Sequence, residues 1–432
     1  MSEPPSRSAR LPCVLGMLLA LLVLIGNLAP PAQAESVRAQ QWYLDVWKID
    51  EVWKLARGAG VTVAVIDGGV DATHPDLVGQ VQSSLNSPGD SDGHGTGMAS
   101  LIAGQGQAGG GQGVYGVAPE AKILPFRSAR TPSGKMDPIS TAKGIRLAAD
   151  SSARIINLSI GGSAGNPVER EAISYALSKG KLVVAAGGNS PEDVNDQPVY
   201  PASYPGVLAI SALSREGKPA SNSIRGPWIS LSAPGEEIPH ACTTSTRYCK
   251  GVGSSDATAL TSGVAALVWS VHPDWTANQV IRRLIDTANR PNEPVPSDTF
   301  GYGAVSPRKA LAATDTPGPA DVNPLIGVRG DKPAPATTAP STSPSAAASA
   351  PAAPAGTAPP AATADKSGDD DNLLVPILVG TIAAAALVAG ATVITMRRRR
   401  ARELARRQAA AAPPWPTAPP TYHPGGGPYD RR

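Results

Sequence analysis

Through the middle of the chain, short apolar runs without charge alternate with segments of helical period. Val61-Thr62-Val63-Ala64-Val65-Ile66 is β-branched and uncharged, the pattern of a strand buried on both faces of a parallel sheet. Residues 121–126 and 154–160, each with a single basic residue near its start, and residues 182–186 and 207–212 continue the apolar theme. Residues 139–149 and 168–179 read as helices. A further helix opens at Trp275-Thr276, carries Val280, Ile281, Leu284, Ile285 and Ala288 on one face, and is closed by Pro291. Strands alternating with helices through short loops predict an α/β domain with a central, mostly parallel sheet. Ligands bind such sheets beyond the carboxyl ends of the strands, where Asp67 and Asn189 stand. Upstream, residues 41–45 with Val46, Ile49, Val52, Trp53 and Leu55 predict a short helix that buttresses the core, ended by Gly58 and Gly60.

Two longer apolar runs flank this region. Residues 14–25 follow Arg7 and Arg10 and lead to Ala32-Gln33-Ala34, which predicts a secretory signal over 1–34 and a mature chain beginning near Glu35. Residues 373–396 hold no charge and are long enough to span a bilayer. Asp369-Asp370-Asp371 precede them and Arg397-Arg398-Arg399-Arg400 follow, so the positive-inside rule puts the tail, 397–432, in the cytoplasm and the bulk of the protein outside. Between the folded region, 35–312, and the span lies a linker over 313–372, dominated by Pro, Ala, Thr and Ser and unable to bury a core.

Composition sharpens this division. The 45 Gly and 44 Pro, against two Phe, exclude a packed core over the whole length. From residue 397 onward nine Arg face Glu403 and Asp430, a balance of +7 in a chain whose total is +3. The basic character therefore belongs to the tail, and nothing in it argues for nucleic-acid binding by the outer domain. Of three cysteines, Cys13 leaves with the signal; Cys242 and Cys249 remain as a pair in an oxidising compartment and predict a disulfide.

The candidate chemistry centres on Gly253-Ser254-Ser255-Asp256-Ala257, which runs into a helix of small and apolar residues with Gly263 eight positions after Ser255. Small neighbours let a substrate approach a serine at a helix N-terminus, and the helix dipole favours developing negative charge. Serine attack on a carbonyl also needs a base, and an acid to orient it. His94, framed by glycines in Asp92-Gly93-His94-Gly95-Thr96-Gly97, suits the base. His74 reads as structural, His240 and His272 have no comparable setting, and His423 lies in the tail.

The segments around Asp67, His94 and Ser255 resemble the three signature blocks of the subtilisin-like serine proteases: a strand ending in D-[small]-G, then H-G-T, then G-T-S-x-A with a following glycine. Their order is that of the subtilisins. The resemblance covers residues 60–310 and implies the subtilisin-like three-layer fold, an endopeptidase activity on polypeptides, Ser255 as nucleophile, His94 as base and Asp67 as its orienting acid. Asn189 matches the family's oxyanion amide, and Ser159-Ile160-Gly161-Gly162 the strand that pairs with substrate backbone. The residues 41–45, the linker, the single span and the basic tail are similar to the mycosins, membrane-anchored subtilases of type VII secretion systems, which implies a membrane secretion complex as partner. Only about 25 residues precede Gly60 in the mature chain, too few for a folded pro-domain.

Four positions depart from the family pattern: Gly97, Ser254, Asp256 and Ala259. Asp256 places a carboxylate directly after the nucleophile, where it would oppose an oxyanion unless it points away. A second reading therefore stands beside the active protease, a catalytically weak or inactive pseudo-protease serving as a structural part of the secretion machinery. An esterase-type α/β hydrolase fits poorly, because acid and base would have to follow the serine. No cofactor or metal is called for; the family often binds calcium, but no carboxylate cluster here demands it. The pocket that sets cleavage specificity is not readable from the motifs.

Overall fold

The computed structural model describes residues 36–83, 89–90, 92–131, 136–189 and 197–327. The predicted signal over 1–34, most of the linker, the apolar run 373–396 and the tail lie outside the described residues.

In chain order the elements are α1 (Val37–Gln40), α2 (Trp42–Val46), α3 (Ile49–Val52), β1 (Thr62–Asp67), α4 (His94–Ala103), β2 (Lys122–Arg127), α5 (Pro138–Ala149), β3 (Ile155–Leu158), α6 (Pro167–Ser178), β4 (Leu182–Ala186), β5 (Leu208–Leu213), β6 (Leu231–Pro234), β7 (Ile238–Ala241), β8 (Tyr248–Gly251), α7 (Ser254–Val271), α8 (Ala277–Asp286) and α9 (Pro307–Ala312). Six strands form one sheet in the order β2-β1-β3-β4-β5-β6, every pair parallel. The expected α/β architecture with its parallel sheet is what the chain adopts.

Strand period 2 explains the two cores. Val63 and Val65 turn to one face of β1, joining Val184, Leu208 and Ile210 beneath α4, α7 and α8. Ala64 and Ile66 turn to the other, joining Ile156 and Val183 beneath α5 and α6. Both faces are covered, so the strands need no polar alternation. α7 runs through the first core with almost every residue buried, and its small side chains let it lie close to its neighbours. At Gly263 a Cβ would stand 2.7 Å from Cβ of Val117, so any larger residue would force the two segments apart. Truncating a fully buried side chain such as Leu267 to Ala would cost about 2–5 kcal/mol.

The predicted helix over 41–55 is instead two short helices, α2 and α3, joined at Lys48 in the left-handed region (φ 50°). This segment is bonded firmly across the domain. The Gln41 amide donates to the Tyr115 carbonyl (2.7 Å) and accepts from the Tyr115 N–H (2.9 Å), and the Trp53 indole donates to the Val117 carbonyl. At the other end, packing continues past residue 312, where the sequence placed the domain boundary. Buried Arg283 pairs with Asp315, Thr276 and Asn278 donate to the Ala320 carbonyl, and Leu325 lies against the core. β7 and β8 form an antiparallel pair that the sequence pattern did not announce, bridged by the Cys242–Cys249 disulfide.

Candidate active site

Asp67 ends β1, fully buried at the carboxyl edge of the sheet. His94 opens α4, after Gly93 at φ 82°, a conformation that suits only glycine here, since a Cβ would also meet Thr243 at 2.8 Å. Gly95 lets this turn close onto β1: a Cβ there would lie 2.1 Å from the Gly69 carbonyl and 2.9 Å from Cβ of Asp67. The result is a tight pair, His94 Nδ1 standing 2.9 Å from Oδ2 and 3.0 Å from Oδ1 of Asp67. A carboxylate can only accept, so Nδ1 carries the proton and Nε2 is left as the basic nitrogen. The charge of Asp67 is the main cause that pushes the His94 pKa up to about 9 against burial, with Asp256 and Asp92 adding to it.

Ser255 is the second residue of α7. Its neighbour Ser254 is fully buried and structural: the Ser254 N–H donates to Oδ1 of Asn189 (2.7 Å), and its Oγ accepts from the Gly188 N–H (3.1 Å). With Asn189 Oδ1 so engaged, the Nδ2 hydrogens are the part of that amide left to donate. Ser255 is partly exposed, and its hydroxyl donates to the Ser159 carbonyl (3.0 Å), while the Ser159 hydroxyl donates back to the Ser255 carbonyl (2.8 Å). Behind this exchange stands a buried relay absent from the sequence reading: Ser262 Oγ donates to Asn157 Oδ1 (2.9 Å), and Asn157 Nδ2 donates to Ser159 Oγ (3.0 Å). It ties β3 to α7 and so fixes the depth of Ser255. Its only signal in the sequence is a polar Asn within an apolar strand.

Ser159, Ile160 and Gly161 follow β3 rather than belong to it, since the ladder ends at Leu158. Ile160 and Gly161, with Gly162, edge a cleft of about 340 Å³ together with Ala186, Gly188, Asn189 and Ser255, and Ser159 stands beside it through its bonds to Ser255. Asp67 and His94 are thus joined by direct contact, Ser255, Asn189, Ile160 and Gly161 by a shared cleft, and Ser159 to Ser255 by hydrogen bonds. Cys242 and Cys249 lie apart from that cleft, in the β7–β8 pair.

Among the described residues no group of three or more His, Cys, Asp or Glu gathers as a metal site. Buried Asp76 is satisfied by the amides of Ala108 and Val114 and the Tyr248 hydroxyl. No helix among the described residues is long and apolar enough to cross a membrane.

Comparison with known proteins places this geometry. A profile of the subtilase family matches residues 58–303. Thermitase of Thermoactinomyces vulgaris is 37% identical over 226 residues, which cover 51% of this chain and 78% of that one. Among solved structures, MycP1 from Mycobacterium smegmatis superposes with a TM-score of 0.57 at 28% identity, covering 68% of this chain and 89% of that one. The MycP3 protease from the type VII (ESX-3) secretion system gives 0.54 at 32%, covering 65% and 90%.

Proposed function

Since the chain belongs to the subtilase family and is a serine endopeptidase, we propose that Ser255 is its nucleophile, His94 its general base and then acid, and Asp67 the carboxylate that orients the imidazole. The observation that carries this reading is the two-oxygen contact of Asp67 with His94 Nδ1, which leaves Nε2 as the only nitrogen able to accept a proton. Ser255 would have to release the Ser159 carbonyl before its proton could pass to that nitrogen; catalytic hydrogen bonds in free enzymes often form only with substrate in place. Ser255 Oγ then attacks the scissile carbonyl, His94 takes its proton, and Asp67 stabilises the imidazolium.

The oxyanion formed in that step needs donors already in place. The Asn189 amide, its oxygen held by the Ser254 N–H, is oriented to donate through Nδ2, and the positive end of the α7 dipole adds to it. His94 returns its proton to the leaving amine, and water activated by the same imidazole hydrolyses the acyl-enzyme. An extended polypeptide would lie along Ser159, Ile160 and Gly161, its backbone supplying the hydrogen bonds and the cleft receiving a side chain.

The proposal extends to place and partner. Signal, single span 373–396 and cytoplasmic basic tail would anchor the protease at the outer face of the cell membrane, beside a type VII secretion complex. The likeness to MycP1 and MycP3 supports that association. One observation favours the second reading, a pseudo-protease: the Ser255 proton is engaged by the Ser159 carbonyl. A fluorophosphonate probe separates the two. Labelling of the wild type and not of Ser255→Ala is expected; no labelling of correctly folded wild type would overturn the protease reading.

A further inference from the structure

Two of the positions where this chain departs from its family, Gly97 and Asp256, meet at one place around His240. Asp256 is 3% exposed, and its Oδ1 is buried without a hydrogen-bond partner. It stands 3.9 Å from Nε2 of His240, itself 8% exposed on β7. The His240 Nδ1 lies 2.8 Å from the Ala241 carbonyl and must donate to it, so in the neutral ring Nε2 is an acceptor and offers Asp256 no proton. Room for the carboxylate comes from Gly251, where a Cβ would lie 2.3 and 2.5 Å from its two oxygens. Room for the imidazole comes from Gly97, where a Cβ would lie 2.5 Å from Nδ1. The carboxylate is therefore buried with Oδ1 unpartnered, a costly arrangement to keep without a use.

Resting on the reading of His94 as the base, we propose that Asp256 is a positioning residue, a second buried carboxylate whose charge, acting from beyond direct contact, adds to that of Asp67 in stabilising the His94 imidazolium, and that His240 and the two glycines form its socket. The groups facing His94 are Asp67 from β1, Asp92 from the loop before it, Asp256 from α7 and His240 from β7. The groups facing Asp256 are His94, His240 and Tyr43 of α2. His240 is pushed toward its neutral form by burial and by the His94 charge, so it does not cancel the carboxylate. Tyr43 is likewise held neutral by burial. The His94 charge and the Asp256 charge stabilise each other, and burial makes each depend on the other more than on solvent.

A carboxylate in the first turn of a helix also stabilises the helix itself, so loss of stability on substitution proves nothing. The pH at which the base becomes available does discriminate. The rate of fluorophosphonate labelling of full-length protein would be followed across pH in wild type and Asp256→Asn, with cooperative melting confirming the fold. Removing the negative charge lowers the His94 pKa, so the acid limb should move down by about one pH unit, raising labelling on that limb up to ~10-fold. Asp256→Ser, smaller and equally uncharged, gives the same reading should the amide not fit beside Gly251. A midpoint that stays in place or moves up in a folded variant overturns the proposal. Absence of Ser255-dependent labelling in the wild type removes the reading beneath it, and is told apart because no limb is then measured at all.

Discussion

Gly97 and His240 are fitted to one another: the imidazole fills the space that a Cβ at position 97 would occupy. Gly97 lies on the inner face of α4, one turn beyond His94, and a glycine within a helix ordinarily costs about 1 kcal/mol relative to alanine. Here the sign reverses, because the added methyl would press on a ring held by its own bond to the Ala241 carbonyl. Gly97→Ala should therefore destabilise by about 1–3 kcal/mol and lower the melting temperature by several degrees. A melting temperature above that of wild type would show that the fit is loose.

Activity and stability should run in opposite directions with pH. His94 must be neutral to accept a proton, and its pKa is pushed up to about 9, so serine labelling should climb as pH rises toward that value. Three groups hold protons more tightly in the folded than in the unfolded chain: Asp256, raised by burial from 3.8 to about 7, Glu169, raised by burial from 4.5 to about 7, and His94 itself. A raised folded pKa contributes stability that is present below the unfolded value and lost as pH rises through the folded one. Asp71 and Asp92, held below the ordinary carboxylate range, work the other way under about pH 4, and His74, His240 and His272, held below the ordinary imidazole value by burial, work the other way below about pH 6.5. The free energy of unfolding should thus fall between about pH 6.5 and pH 9, where only the raised groups titrate, with His94, a third open to solvent, contributing less than its shift implies. Urea melts across that range check it, and a stability maximum near pH 8 would contradict it.

Much of this molecule was legible because its strands are buried on both faces. Residues 182–186 read as charge-free and β-branched and are β4 to the residue, and β1, β2 and β5 are shifted by one residue. Local motifs also marked the catalytic candidates, since Gly93 and Gly95 frame His94 for steric reasons that act within a few residues. The strands β7 and β8 were not legible. They are four residues each, and Pro239 and Lys250 break the apolar pattern. His240 had no visible setting because its neighbours, Gly97 and Asp256, come from two other elements. For the same reason Asp256 looked like a liability beside the nucleophile: its burial is a property of the packing of α7 against β8, not of its flanking residues.

Asn189 offers a direct test of the oxyanion proposal. Its Oδ1 accepts from the Ser254 N–H, so the side chain both braces the start of α7 and orients its own donor. Asn189→Ala should lower kcat by about 10²- to 10³-fold, or ~3–4 kcal/mol of transition-state stabilisation, with little change in KM. Asn189→Asp keeps the acceptor for Ser254 and loses the donor, so it should be as inactive while melting near the wild type. Were the aspartate variant to retain activity, the amide would be a brace only.

The cleft itself carries the last expectation, its preference at the residue before the scissile bond. The described residues that line it include Ile160, Ala186, Val199 and Ile224, three glycines and no charged side chain. A charged side chain entering it would lose hydration and find no counter-ion, whereas an apolar one gains about 25 cal/mol for each Å² removed from water. At about 340 Å³ the space suits a medium or large apolar group. Gly161 limits its width, because a Cβ there would stand 2.9 Å from Cγ1 of Val199. Peptide amides with Leu, Met or Phe before the scissile bond should be cleaved with kcat/KM at least about 10-fold above the Lys and Asp counterparts, a ratio expected from 1–3 kcal/mol of differential pocket binding. Gly161→Val should narrow that advantage for Phe more than for Leu. A preference for Lys would mean that a carboxylate outside the described lining reaches the substrate side chain, and the apolar assignment would then fall.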